Sequence, residues 1–321
     1  SRLKGRSPLS SSRMLSRAVK EPGEGWAQSA SRRPVAAVPS RSRSLSGVVS
    51  PSESVAMSKS HHHSRPSVGT AELSVTSVST DRIALAFTHQ GDSLVIDFPA
   101  PVPVGMIASF SIAWEGAPPP HSPFRTGLMF REHESGTLND RSDDVPIIAS
   151  MGQPWSSHAW WPCKDAPGDK ALVSMAMTVP DSLIAVSNGV RLDTVEHGNG
   201  WTTYRYASEY PVAPYLVSVA APNYRGWGEL CQVPGDVPVV LQYHVFPQDY
   251  DNARFDLGRT CGIMEFMTDL AGPYPFAREQ YAQAEFKWFG SMEHQTATSL
   301  SPTVFTGDRY NELTVVHELA H

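Results

Sequence analysis

The sequence predicts a multidomain β plus α/β chain, in which an antiparallel β-rich N-terminal domain precedes the first part of an α/β domain. Three observations carry that expectation. Apolar residues alternate with period two in short runs from about residue 70 to residue 220, with no helical period between them. The first sustained helical stripe arrives only after Asp251. The chain has 321 residues, and a soft prior of roughly 150 residues per domain gives about two domains.

Charge divides the chain as well. The formal net charge is -6, yet residues 1–65 hold 12 of the 26 Lys+Arg and only 3 of the 32 Asp+Glu. Residues 66–321 therefore carry a net -15, which argues against a surface built for nucleic acid. Residues 1–65 contain 18 serines and the triplet His61–His63. They lack an apolar period that would offset the entropy of ordering them, so this segment is expected to be disordered. Its Arg- and Ser-rich start has the composition of a transit peptide, but it opens on Ser1 and reads equally as a severed start. No run of 18 apolar residues occurs, so no membrane span is expected. Cys163, Cys231 and Cys261 are widely spaced and are read as reduced thiols, ahead of the alternative of one bridge plus one free thiol. That reading and the lack of an Asn-x-Ser/Thr sequon fit the cytoplasm, with secreted or periplasmic locations left open.

The elements follow in order. Ile83, Leu85 and Phe87 share one face of a strand, His89–Asp92 makes a turn, and Leu94, Ile96 and Phe98 return. Met106, Ala108, Phe110, Ile112 and Trp114 form a third strand, broken by Pro118–Pro120. Val173, Met175, Met177 and Val179 form another. Ser187-Asn188-Gly189 is a tight turn. Tyr204 and Tyr206, then the run 215–219, continue the meander. Gly226 to Pro238 reads as a linker, which places domain boundaries at 66–232 and 233–321. Val239, Leu241, Tyr243 and Val245 then make a strong strand. A helix is expected from Asp251 to Leu270, stopped by Gly272-Pro273, and a short strand over about 283–289. Asp308 is placed to cap a last helix from Arg309 to His321, with Leu313, Val316 and Leu319 on its packed face.

That helix ends in His317-Glu318-Leu319-Ala320-His321. Positions i and i+4 lie on one helix face, so both imidazoles can point at a single ion. Glu318 stands about 100° round from His317, close enough to take a proton from water held beside that ion. Neutral imidazoles suit Zn²⁺, and a catalytic zinc takes three protein ligands plus water. The five-residue pattern also occurs by chance, and a solvated helix end with two surface histidines is the bland reading. No spacing argues for Glu293, Asp308 or Glu312 as a third ligand, so the third ligand is expected beyond His321.

Several segments in order resemble the aminopeptidase N-like zinc metallopeptidases, the gluzincins, which include leukotriene hydrolase-like members. Gly290-Ser291-Met292-Glu293-His294 is similar to the family's Gly-x-Met-Glu-Asn motif. The zinc motif follows about 20 residues on. Trp161-Pro162-Cys163-Lys164-Asp165 with Pro167 and Lys170, Ser187–Gly189, the run from Tyr215 to Val217, and Tyr274-Pro275-Phe276 also match. The resemblance covers about 70–321, and implies that the second domain begins a thermolysin-like zincin fold.

The resemblance also implies roles. His317 and His321 hold one Zn²⁺ and Glu318 is the general base. Glu293 binds the free α-amine of a peptide, a charge-assisted pairing that restricts cleavage to the N-terminal residue. Gly290, Ser291 and Met292 border the substrate. A glutamate about 19 residues beyond His321 is the implied third ligand, so residues 1–321 alone are expected to be inactive. The expected partners are peptides with a free N-terminus. Departures are Met151, where the family often has an amine-lining glutamine, and His158-Ala159, where it usually has an arginine.

Bland roles fit other residues: Cys163 as a buried thiol, Trp160 and Trp161 as core, and Asp165 and Lys170 paired or capping a turn. Two other functions stay open. One is a family member turned to a different hydrolysis, and the other is a non-catalytic β-rich binding or scaffold fragment. Metal analysis with an aminoacyl-nitroanilide assay separates them from an aminopeptidase.

Overall fold

The computed structural model describes residues 73–116, 126–131, 147–233 and 237–321, together with the backbone of three short strands, Met14–Val19, Leu45–Val48 and Ser54–Met57. These strands add to antiparallel sheets. A sheet edge offers backbone partners to any extended chain, which apolar periodicity does not register. The rest of the segment expected to be disordered, the Pro118–Pro120 break and an acidic stretch at 132–144 lie outside the described residues.

The N-terminal part is antiparallel throughout. Leu172–Pro180 lies between Met14–Val19 and Trp201–Ala207, and Val190–Glu196 completes that sheet. Its alternation is regular: Val173, Met175, Met177 and Val179 are all buried beside Trp160, Trp161 and Cys163. Ile147–Met151 pairs with Gly127–Arg131 and with Val219–Ala220. The hairpin of Ala86–Gln90 and Ser93–Asp97 turns at Gly91, which has a φ of 56°. Three details differ from expectation. Ser74–Ser79 is an additional strand, paired with Ile107–Glu115. Ile83 and Met106 face solvent. The run 215–219 holds a 3-10 turn at Pro214–Leu216, because Pro214 presets a turn rather than a ladder position.

The sheet of the second part is mixed. Arg225–Cys231 pairs antiparallel with Val239–Val245, which runs parallel to Tyr281–Glu285, itself parallel to Ala297–Leu300. Val239, Leu241, Tyr243 and Val245 all turn into the core, as their alternation predicts. The expected linker at residue 233 instead falls between two hydrogen-bonded strands of one sheet. The strand expected at 283–289 runs from Tyr281 to Glu285, and Ala297–Leu300 had no counterpart in the sequence reading. Both strands are buried on both faces, so no alternation marks their ends.

The helix expected over 251–270 is two helices, α1 at Tyr250–Asp256 and α2 at Thr260–Ala271. Asp251 does not cap α1; the N-cap position is Asp249. Cys231, at the end of its strand, and Cys261, in α2, form a disulfide with a Cα–Cα distance of 5.3 Å. This corrects the reading as three thiols and removes the cysteine argument for a reducing compartment. Cys163 is a free, buried cysteine, and burial pushes its thiol pKa well up. Asp165 caps a 3-10 turn by accepting from the amides of Ser157 and His158 and pairing with the His158 ring, while Lys164, not Lys170, pairs with Asp169.

The sheet that holds Gly127–Arg131, Ile147–Met151 and Val219–Ala220 meets the mixed sheet through small and aromatic residues. Val186, Ala220 and Tyr224 pack on Phe246, Ala282, Ala284 and Ala297. Nearby, Met129, Ala149 and Met151 pack on Phe286 and Met292, with Tyr215 and Trp288 at the margin.

Candidate active site

The last helix, α3, spans Glu312–Ala320, three residues later than expected. Arg309 has a φ of 63°, a conformation that cannot continue into a right-handed helix. Asp308 accepts from Thr306 Oγ1 and from the Tyr310 amide, so it closes the preceding turn rather than the helix. The loop is held by Asp256, whose two carboxylate oxygens accept the Gly307 and Arg309 amides at 2.7 Å each. The packed face carries Val315, Glu318 and part of Leu319, whereas Leu313 is 81% exposed.

His317 and His321 are both exposed, and their Nε2 atoms lie 3.2 Å apart with the rings nearly perpendicular. Two nitrogens bound tetrahedrally at Zn–N distances of about 2.0–2.1 Å would stand about 3.3–3.4 Å apart. The pair therefore fits one zinc ion. Among the described residues, no third His, Cys, Asp or Glu joins these nitrogens. The one cluster with three possible ligand atoms is Cys231, Cys261 and Glu265, where the two sulfurs are bonded to each other. Glu318 is 9% exposed. Burial first, and the negative charge of Glu293 second, push its carboxyl up to about 7. The two carboxylates are thus close enough for the charge of one to act on the other.

Glu293 lies on the segment that leaves Tyr281–Glu285 and returns as Ala297–Leu300. Met292 is fully buried and forms a two-way backbone bridge with Ser299, at 2.9 Å each way. That bridge fixes the residues on either side of it and leaves Glu293 half-buried. Ser291 Oγ accepts the Ser301 amide at 3.1 Å. A Cβ on Gly290 would stand 2.7 Å from the Trp288 ring, so the absence of a side chain there serves the Trp288 packing. His294 is buried and uses Nδ1 against Ser299 Oγ; burial lowers its pKa to about 3. Tyr215 sits close enough to Glu293 that the carboxylate, after burial, raises its hydroxyl pKa. Met151 is fully buried against Met292, so no polar group occupies that position.

Glu318 thus lies within electrostatic reach of Glu293, one position after His317. Sequence reading missed the residues that hold the Glu293 segment, Glu279 and Thr296, and saw Asn188 only as part of a turn. Each acts through partners from 17 to 107 positions away, a distance no local pattern reports.

The family model for the Peptidase M1 N-terminal domain matches residues 49–216, just over half of the chain. Leucine aminopeptidase 2 of Pyricularia oryzae is 25% identical over 179 residues, covering 55% of this chain and 28% of that protein. Aminopeptidase B of Rattus norvegicus is 24% identical over 255 residues, covering 73% and 33%. The chain thus spans between a quarter and a third of the length of these relatives. The crystal structure of the M1 zinc metallopeptidase from Deinococcus radiodurans superposes with a TM-score of 0.70 at 19% identity, over 87% of this chain and 58% of that one. The β-rich architecture and the start of the second domain are therefore those of that fold, and the chain belongs to the M1 peptidases, the aminopeptidase N-like gluzincins.

Proposed function

We propose that this chain forms the β-rich domain and the opening of the catalytic domain of a zinc aminopeptidase, with the division between them ahead of Arg225. His317 and His321 would hold one Zn²⁺, with a third ligand supplied from outside the described residues. The ion, when bound, supplies Lewis acidity toward the scissile carbonyl. Glu318 takes the proton from the attacking water and delivers it to the leaving nitrogen. Glu293 accepts the ammonium of the substrate N-terminus, and Gly290 and Ser291 border it, while the fully buried Met292 anchors the segment from behind rather than bordering substrate as expected. An internal peptide nitrogen carries no charge, so Glu293 registers the first residue and no other. With two imidazoles only, residues 1–321 alone bind zinc weakly and turn over negligibly.

The observation that carries this reading is the pair of imidazole nitrogens 3.2 Å apart, flanking a Glu318 whose carboxyl feels the charge of Glu293. In the enzyme with its ligand set complete, Glu318→Gln is expected to retain zinc and lose activity by about 10²–10⁴-fold, the span of a general base. Metal analysis and leucyl-nitroanilide turnover measure the two. Near-normal turnover in that variant would remove Glu318 from the mechanism.

A further inference from the structure

Thr296, three residues after Glu293, has a φ of 58°. A β-branched residue takes that left-handed conformation only against steric cost, so something must hold it. Its Oγ1 donates to Glu279 Oε2 and accepts the Gly189 amide, both at 2.9 Å. Glu279 is 3% exposed, and its other oxygen accepts the amides of Glu209 and Tyr210. One residue earlier, the Gln295 carbonyl accepts from Asn188 Nδ2, which also donates to the Leu216 carbonyl at 2.9 Å. Asn188 is 2% exposed, and its Oδ1 accepts the Ser218 amide at 2.6 Å. The Thr296 carbonyl accepts the Ala282 amide at 2.9 Å. The chain just after Glu293 is thus tied on one side to its own sheet and on the other to the turn 187–189 and the segment 209–218 of the β-rich part.

The strained residue and the anchored Gln295 carbonyl lie within three positions of Glu293, on the segment that carries it. We propose that Asn188, Glu279 and Thr296 are positioning residues for Glu293. They fix the height of its carboxylate, so that the β-rich domain sets how a free peptide N-terminus is registered. This inference rests on the reading of Glu293 as the amine-binding group.

The test is a double-mutant cycle in the complete enzyme, read as KM and kcat on leucyl-nitroanilide with zinc content measured alongside. Glu293→Ala reports on the underlying reading: an unchanged KM would refute amine binding itself. Given a raised KM there, Thr296→Val, which removes the hydroxyl at constant shape, is expected to raise KM about tenfold with kcat and zinc little changed. Thr296→Ser, which keeps the hydroxyl, is expected to restore KM. Added to Glu293→Ala, Thr296→Val is expected to raise KM no further, because the two act as one unit. A Thr296→Val enzyme with unchanged KM and a lower kcat has lost only its folded fraction, and that result overturns the proposal. So does a KM effect that persists in full without Glu293.

Discussion

The two carboxylates of the candidate site stand on unlike supports. Glu293 rides on a loop whose neighbours are buried and tied to the β-rich part by Asn188, Gly189 and Glu279. Glu318 rides on a short helix with one buried face, entered through a turn whose Gly307 and Arg309 amides Asp256 accepts, and with both histidines open to solvent. The difference separates two ways of placing a functional group. A helix places residues by its own period, so four residues of spacing bring two imidazoles together. A loop has no period, and its geometry has to be imposed by residues elsewhere in the chain.

The sharpest way to break this comparison is Gly189→Ala. Gly189 has a φ of 83°, and a Cβ there would stand 2.2 Å from the Ala207 carbonyl oxygen. The backbone would have to move, taking with it the amide that holds Thr296. A loss of more than about 3 kcal/mol is expected by urea titration. A loss within about 0.5 kcal/mol, as expected for Leu313→Ala on the exposed side of α3, would mean that the loop does not depend on this turn. On the helix side the corresponding change is Asp256→Ala. It leaves the Gly307 and Arg309 amides without their acceptor, at an expected cost of about 2 kcal/mol. If that variant matched the wild type, α3 would be held by its Val315 and Leu319 packing rather than by the turn before it.

Legibility in the sequence followed the same division. The strands around Val173–Val179 and Val239–Val245 were readable because one face is buried and the other is not. Tyr281–Glu285 and Ala297–Leu300 were not delimited, since burial on both faces erases the alternation. The histidine pair was readable from spacing alone. Glu293 was readable only by resemblance, and its supports Glu279 and Thr296 not at all. Asp308 looked like a helix cap because capping residues are recognised by type; the positive φ of Arg309, which moves the helix start to Glu312, is set by Asp256 more than 50 residues earlier. The disulfide was missed for the same reason: 30 residues separate Cys231 from Cys261, and only the fold brings them together.

The finest discrimination comes from pH. His294 belongs to the loop side, is fully enclosed, and has its pKa lowered from 6.5 to about 3 by burial. The folded state therefore refuses a proton that the unfolded chain accepts. Its contribution to stability is complete above pH 6.5 and is lost as pH falls toward 3. Replacing it with Asn keeps a polar side chain to meet Ser299 Oγ and removes the titration. His244, on the neighbouring sheet, is likewise lowered to about 4 and stays in place as the common background. Between pH 7 and 5.5 the wild type is expected to lose about 1 kcal/mol more than His294→Asn, read as the difference in urea midpoints across that range. Parallel pH curves for the two proteins would mean that His294 gains a proton without leaving its site. The loop around Glu293 would then be open to water, as the end of α3 is, and the contrast between the two supports would disappear.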